Sequence, residues 1–348
     1  MIPNYIDGRR VAAKARESLS VLNPATGEEL DRTPLSTVED VDAAVKAGTR
    51  AFPAWRATPM VERARILFRL KALLDEHKEE LAESLTLEHG KNLVETRGEV
   101  QRGIENIEHA CGIPTLMMGE TLEDIAGGVD CSTYRQPLGV FAGITPYNFP
   151  VMIPLWFWPY AVATGNTFVL KPSEQDPITH QRVVALAEQA GLPPGVLNVV
   201  HGGKEVVSAL LEHPGITGIS FVGSSEVARV VYAGAARTGK RVQALGGAKN
   251  HMVILPDADL DVAVEACVSS IFGSAGQRCL AGSVVVGVGD AYSAVRERFL
   301  DGARSFRVGY GLEDGVDMGP VISRKHLSRV VGYIDTGLAG GRRATPGR

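Results

Sequence analysis

From residue 139 onward the chain alternates short β-rich runs with helical stretches, and this alternation limits the fold more than any other feature. The runs lie at 139–144, 167–170, 196–200, 216–222 and 241–245, with helices near 150–164, 178–190, 204–212 and 225–238 between them. Strands joined through helices run parallel, and a parallel sheet is covered on both faces. The expected class is therefore α/β, with ligands bound beyond the carboxyl ends of the strands. A second α/β unit begins near Gly246, where strands at 251–255 and 283–288 flank a helix at 259–271 and a Gly-rich loop. Another helix follows Asp290, and then loops. The first third reads as mostly helical, with helices near 38–50, 60–88 and 95–112. Ser36-Thr37-Val38-Glu39 fits a capping box, with Glu39 reaching back. Val61, Ile66, Leu67, Leu70, Leu73 and Leu74 recur at helical spacing and mark a core-facing stripe.

The 348 residues suit two or three domains. Lys plus Arg number 36 and Asp plus Glu 40, a net charge of −4 that gives no general grip on nucleic acid. The four cysteines are too scattered for a disulfide framework, and no C-x-x-C pair suggests a zinc site. A reducing, cytoplasmic setting is the expectation, and the N-terminus has no secretory pattern. Residues 136–170 carry no charge, which is long enough for a membrane span. Pro146, Pro150, Pro154 and Pro159 would break such a helix, so a buried strand, a turn, a helix and a second strand are expected instead.

Four places carry candidate chemistry. Cys279 follows Gly276-Gln277-Arg278 on a loop just after a helix, and a neighbouring cation favours the reactive thiolate. The bland alternative is a small buried residue, which is the reading for mid-helix Cys267. Asn148, in Thr145-Pro146-Tyr147-Asn148-Phe149-Pro150, either donates its amide to a developing oxyanion or is a turn residue. Lys171-Pro172-Ser173-Glu174 follows a strand, so Lys171 and Glu174 either hold ribose hydroxyls at the sheet edge or lie in a solvated connection. Phe221-Val222-Gly223-Ser224 is a strand opening into a helix, where Ser224 either meets a phosphate or simply caps the helix. The full G-x-G-x-x-G fingerprint and the G-x-S-x-G elbow are both absent.

In order, Pro146-Tyr147-Asn148-Phe149-Pro150, Leu170-Lys171-Pro172-Ser173-Glu174, Phe221-Val222-Gly223-Ser224, Gly246-Gly247-Ala248-Lys249-Asn250 and Gly276-Gln277-Arg278-Cys279 resemble the aldehyde dehydrogenase superfamily over about residues 1–335. The stretch from Arg97 to Glu105, Pro114-Thr115-Leu116-Met117-Met118-Gly119 and Ala248-Lys249-Asn250-His251 resemble its CoA-acylating, methylmalonate-semialdehyde dehydrogenase branch. The resemblance implies a parallel-sheet NAD-binding domain at 1–118 and 136–245 and part of an oligomerisation element at 119–135. It further implies a second α/β catalytic domain at 246–339, incomplete here, followed by an atypical Gly/Arg-rich tail at 340–348.

It also implies roles. Cys279 attacks the aldehyde as thiolate, and the Asn148 amide with the Cys279 backbone N–H stabilises the oxyanion, each donor contributing about 3–4 kcal/mol. Hydride passes to NAD, held by Lys171, Glu174 and Gln175 at the ribose, Ser224 at the pyrophosphate, and Thr145, Tyr147 and Gly246 along the dinucleotide. Arg102 and Arg278 clamp a substrate carboxylate; locally, Arg102 reads equally as an ion-pair partner of Glu99 or Glu105. Hydrolytic members place a Glu base just before the paired glycines, where this chain has Ala244 and Leu245, and no carboxylate occurs from Val242 to Asn250. Coenzyme A is therefore the expected acyl acceptor, since a thiol needs less help from a base than water does. The alternatives are a hydrolytic aldehyde dehydrogenase using another base, with Glu265 the only glutamate between Val242 and Cys279, and an inactive fragment. Relatives are longer, carrying a late Glu-x-Phe-Gly-Pro segment and an oligomerisation strand that are absent here, so a C-terminally truncated member is the expectation. The partners implied are a small semialdehyde and CoA, with no nucleic acid or membrane, and homo-oligomers among full-length relatives.

Overall fold

The uncharged run at 136–170 folds as a strand, two short helices and a strand in the computed structural model, which describes residues 1–342. The chain opens with strands β1 (Asn4–Ile6), β2 (Arg9–Val11), β3 (Ser18–Leu22) and β4 (Glu29–Pro34). Helices α1 (Val38–Ala57), α2 (Met60–Glu76), α3 (Lys78–His89), α4 (Leu93–Cys111) and the single turn α5 (Ile113–Leu116) come next. Then come β5 (Thr121–Ala126), β6 (Val129–Ser132), β7 (Val140–Ile144), α6 (Met152–Leu155), α7 (Trp158–Ala163) and β8 (Thr167–Lys171). The alternation continues through α8 (Ile178–Gln189), β9 (Leu197–Val199), α9 (Lys204–Glu212), β10 (Ile216–Val222), α10 (Ser225–Arg237) and β11 (Arg241–Leu245). The last elements are β12 (Asn250–Ile254), α11 (Leu260–Phe272), β13 (Gly282–Gly287), α12 (Ala291–Ser305) and α13 (Arg324–Ala339).

The main sheet has the order β11-β10-β7-β8-β9-β1-β2. Its five strands from β11 to β9 are parallel, and β1 and β2 add an antiparallel edge. The chain winds outward from β7 through β8 to β9, then returns past β7 to β10 and β11. The direction of winding thus reverses between β7 and β10, which is where open α/β sheets bind ligands.

Two compact units divide the chain. The first comprises residues 1–21, 31–81 and 98–246, and the second comprises 22–30, 82–97 and 247–348. The segments 22–30 and 82–97 go with the second unit, and 119–135 goes with the first. In the first unit the core lies between the sheet and α1, α9 and α10, around Val41, Val140, Val169, Leu210, Ile219 and Val231. The second unit holds a parallel pair, β12 and β13, over a small core of Ile254, Cys267, Ala291 and Val295. Of the atypical tail expected at 340–348, residues 343–348 lie outside the described residues.

Several expected elements come out differently. The helix expected at 150–164 is two short helices, because Pro154 and Pro159 each withhold a backbone donor. The helix expected at 60–88 breaks at His77, whose ψ of 12° closes α2. In contrast, α1 runs past Pro53 to Ala57, where Trp55 is buried and its Nε1 donates to Val162 O at 2.9 Å. Its cap sits one residue later than expected: Thr37 N donates to Asp40 Oδ2 at 2.9 Å, while Ser36 Oγ pairs with Asn4 Nδ2. The strands β1 to β4 precede the first of the expected helices, and α13 occupies part of the region expected to be loops. No helix among the described residues is long and apolar enough to cross a membrane.

Candidate active site

Parallel register brings four chain segments to one edge of the first unit's sheet. Ile144 is opposite Lys171 across β7 and β8, Phe221 is opposite Ile144, and Val222 is opposite Leu245. The next residues, Thr145, Pro172, Gly223 and Gly246, therefore leave the sheet together at its carboxyl edge. Backbone bonds extend the pairing by one step, Thr145 N to Lys171 O and Gly223 N to Leu245 O, both 3.1 Å. Thr145, Tyr147, Lys171, Glu174, Gln175, Ser224 and Gly246 all belong to this edge or the loops just beyond it.

Polar side chains there are preset. Lys171 is buried, and its Nζ donates to Glu174 Oε2 at 2.7 Å. Gln175 N is tied to Ser173 Oγ at 3.1 Å, which curls the chain back after Pro172. Thr145 Oγ1 is buried with no hydrogen-bond partner among the described residues. Ser224 is exposed and caps α10, accepting from Val227 N at 3.4 Å. Gly246 passes tightly over that helix start, since a Cβ there would lie 3.0 Å from Ser225 Oγ and 3.1 Å from Ser225 Cα. The bare backbone, the helix N-terminus and the orphaned hydroxyl fit a dinucleotide, which needs close backbone approach and donors for phosphate. Behind the edge, burial and the Lys171 charge push His201 down to about 3.

Asn148 is half-buried in the turn that follows β7. Its supporting group lies 49 residues earlier: the buried Glu99 carboxylate accepts from Val151 N at 2.9 Å and Met152 N at 3.2 Å. This carboxylate fills the place of a cap for α6, whose own first residues offer none. One of the two carboxylates read as an ion-pair partner of Arg102 is thus engaged elsewhere. Arg102 itself is exposed on α4.

In the second unit, Cys279 is half-buried on the loop after α11. The chain leaves that helix through Ser274 and Ala275, both in the left-handed region at φ 54° and 52°. Such conformations cost non-glycine residues on the order of 1–3 kcal/mol each and persist only where neighbours enforce them. Here Gln277 and Glu95 hold the turn itself, and Asn250 holds the chain just beyond it. Gln277 Nε2 donates to Ser274 O at 3.0 Å while its Oε1 accepts from Ile322 N. Asn250 Nδ2 donates to Cys279 O at 3.0 Å and Ala281 O at 2.9 Å. Glu95 Oε1 accepts from Ser274 N at 2.6 Å and from Arg278 Nη2 at 2.8 Å. Arg278, the residue before the cysteine, thus has one edge of its guanidinium on a carboxylate.

The remaining cysteines are placed differently. Burial pushes Cys111 up to about 11 and also raises Cys267, so both are poor nucleophiles. Cys131 is exposed on the β5–β6 ribbon. Glu265, the one glutamate near enough in sequence to replace the missing base, is exposed in the middle of α11. Sequence reasoning missed Glu95, Glu99, Asn250 and Gln277 as individual supports. Only the bracketing Gly273 and Gly276 hinted at unusual backbone between them.

An α/β sheet with this order and a cysteine loop of this kind define a class, and the sequence profile of the aldehyde dehydrogenase family matches residues 11–348. The chain belongs to that family. Among relatives, a malonate-semialdehyde dehydrogenase of Geobacillus thermodenitrificans is 54% identical over 336 residues, covering 97% of this chain and 70% of its own. One from Geobacillus kaustophilus is 53% identical, covering 97% and 69%. The crystal structure of methylmalonate-semialdehyde dehydrogenase from Oceanimonas doudoroffii superposes with a TM-score of 0.95 at 46% identity, covering 98% and 70%. The NAD+ complex of an aldehyde dehydrogenase from Bacillus cereus has a TM-score of 0.94 at 34% identity, covering 98% and 70%.

Proposed function

We propose that this chain catalyses NAD-dependent, CoA-acylating oxidation of malonate or methylmalonate semialdehyde, giving acetyl-CoA or propionyl-CoA through a thioester on Cys279. The semialdehyde relatives support the substrate class. The observation that carries the choice of acceptor is the stretch from Val242 to Asn250, which offers no carboxylate to activate water.

In this reading the Cys279 thiolate adds to the aldehyde carbon, forming a C–S bond and placing negative charge on oxygen. The Asn148 amide and the Cys279 backbone N–H donate to that oxygen. NAD, when bound, accepts the hydride that converts the adduct into a thioester. Lys171, Glu174 and Gln175 hold its ribose, Ser224 its pyrophosphate, and Thr145, Tyr147 and Gly246 its flank. Arg102 and Arg278 hold the substrate carboxylate. That carboxylate then leaves as carbon dioxide, its electron pair passing to the α-carbon, which takes a proton from solvent. The CoA sulfur, its proton passing to solvent, bonds to the acyl carbon, and the C–S bond to Cys279 breaks to release Cys279 as thiolate. The enzyme acts on small molecules in the cytoplasm, and a homo-oligomeric assembly belongs to the same reading.

Product analysis tests this. Malonate semialdehyde and NAD are to be supplied with and without CoA, and both acyl-CoA and free acid measured. Acetyl-CoA formed only with CoA, at least about tenfold faster than free acid in its absence, is the expected result. Free acid appearing at one rate in both mixtures overturns the proposal.

A further inference from the structure

We propose that Glu95 is a specificity-determining positioning residue: it holds Arg278 by one edge of the guanidinium so that the other edge is presented to the substrate carboxylate. The proposal rests on the reading of Arg278 as a substrate clamp and adds the group that sets its geometry.

Three observations carry it. First, one oxygen of Glu95 serves two donors on the nucleophile's loop, Ser274 N at 2.6 Å and Arg278 Nη2 at 2.8 Å. That couples the placement of the guanidinium to the left-handed turn leading to Cys279. Second, the Glu95 side chain is only 10% exposed whereas that of Arg278 is 31% exposed. The anchoring carboxylate is therefore shielded while the arginine side chain is partly open. Arg278 Nη1 reaches Ser269 O at 3.5 Å, a long contact that spends little of its donor capacity. A planar fork with five donors, pinned on one side, suits a second carboxylate on the other. Third, the guanidinium lies flat over Gly273, where a Cβ would come within 2.3 Å of Arg278 Cζ. Gly273 has an ordinary φ of −52°, so the lack of a side chain there serves space and not backbone conformation.

Without Glu95, Arg278 would be a long, mobile cation beside the thiol, free to pair with any anion. With it, one carboxylate site is filled by the protein and the open edge is held at fixed reach from Cys279.

A protection assay tests this without needing turnover. Iodoacetamide alkylates Cys279 in the whole chain, and the Cys279 peptide is followed by mass because Cys131 is also exposed. Malonate is added as an unreactive dicarboxylate, and its half-protecting concentration is read for each variant. Malonate should protect the unchanged chain, and Arg278→Ala should lose the protection. Glu95→Ala and Gly273→Ala should each raise the half-protecting concentration at least about tenfold. Glu95→Gln, which keeps an acceptor for both donors but no charge, should fall between. A change in the unprotected alkylation rate alone would reflect loop order and not positioning. Protection lost in Arg278→Ala but unmoved in both Glu95 variants overturns the role of Glu95 and leaves the clamp standing. No protection of the unchanged chain overturns the clamp and the positioning role together. If Glu95→Ala does not fold, Glu95→Gln and Gly273→Ala decide the matter.

Discussion

Lys171 shows how a single residue's setting assigns it a task. Its ammonium is buried at the sheet edge and tied to Glu174 at 2.7 Å, an i,i+3 pair across a proline turn. A ribose hydroxyl could join this pair as donor to the carboxylate and acceptor from the ammonium. Hydrogen bonds to charged groups contribute about 1.5–3 kcal/mol. Lys171→Met should therefore raise the KM for NAD about tenfold or more while leaving the KM for semialdehyde nearly unchanged, as measured by initial rates of NADH formation. Residues of this kind were legible because their signal is local: Pro172 and the end of a strand put Lys171 at the edge. The loop position of Cys279 was legible for the same reason, through Gly276 and Arg278. Glu95 was not, because its partner Ser274 is 179 residues away and nothing in the chain around either residue records the contact.

Among the elements, those with long regular patterns were read well, while those decided by tertiary partners were not. The parallel strands from β7 to β11 are apolar runs bounded by turns, and each appears close to where the sequence puts it. The three-residue strands β1, β2 and β9 are too short for a period to show, and β9 alone was found, through the strand-helix rhythm around it. The prolines were read as helix breakers, yet Pro53 is tolerated where buried Trp55 anchors the end of α1. Buried histidines on these elements make a prediction about acid. His180, on α8, and His201, just after β9, are each pushed down to about 3, mainly by burial. An unfolded histidine titrates near 6.5, so between these values the unfolded chain binds more protons than the folded one. Stability is unaffected above about pH 6.5 and falls as the pH drops from there toward about 3, by about 1.4 kcal/mol per pH unit for each ring. Urea midpoints measured across that range should show the decline. Neither His180 ring nitrogen has a hydrogen-bond partner among the described residues, so His180→Leu should flatten the decline without loss of stability at pH 7.5.

At the scale of the whole molecule, the two units are unequally built. A single buried cluster between the first unit's sheet and its helices holds 20 residues, whereas the cluster over the second unit's strand pair holds four. Helix α13 has no buried residue and leaves Leu327, Val331, Tyr333, Ile334 and Leu338 exposed. Apolar burial drives cooperative folding, so the second unit should open first. All three tryptophans, Trp55, Trp156 and Trp158, belong to the first unit. Urea unfolding followed by far-ultraviolet circular dichroism should therefore begin at lower denaturant than unfolding followed by tryptophan fluorescence. Coincident transitions would show that the units unfold together. The change in sequence pattern near Gly246 falls where the chain passes from the first compact unit to the second. The assignment of 22–30 and 82–97 to the second unit was not legible, because it depends on contacts distant in the chain.

Trapping the acyl group tests the central claim most directly. The chain is to be mixed with NAD and malonate semialdehyde in the absence of CoA, quenched in acid, digested and mapped by mass. An acyl adduct on the Cys279 peptide that persists in water and disappears on adding CoA, with acyl-CoA appearing in its place, is the predicted result. NADH formed with no adduct on Cys279, or an adduct that water removes as fast as CoA does, would contradict it.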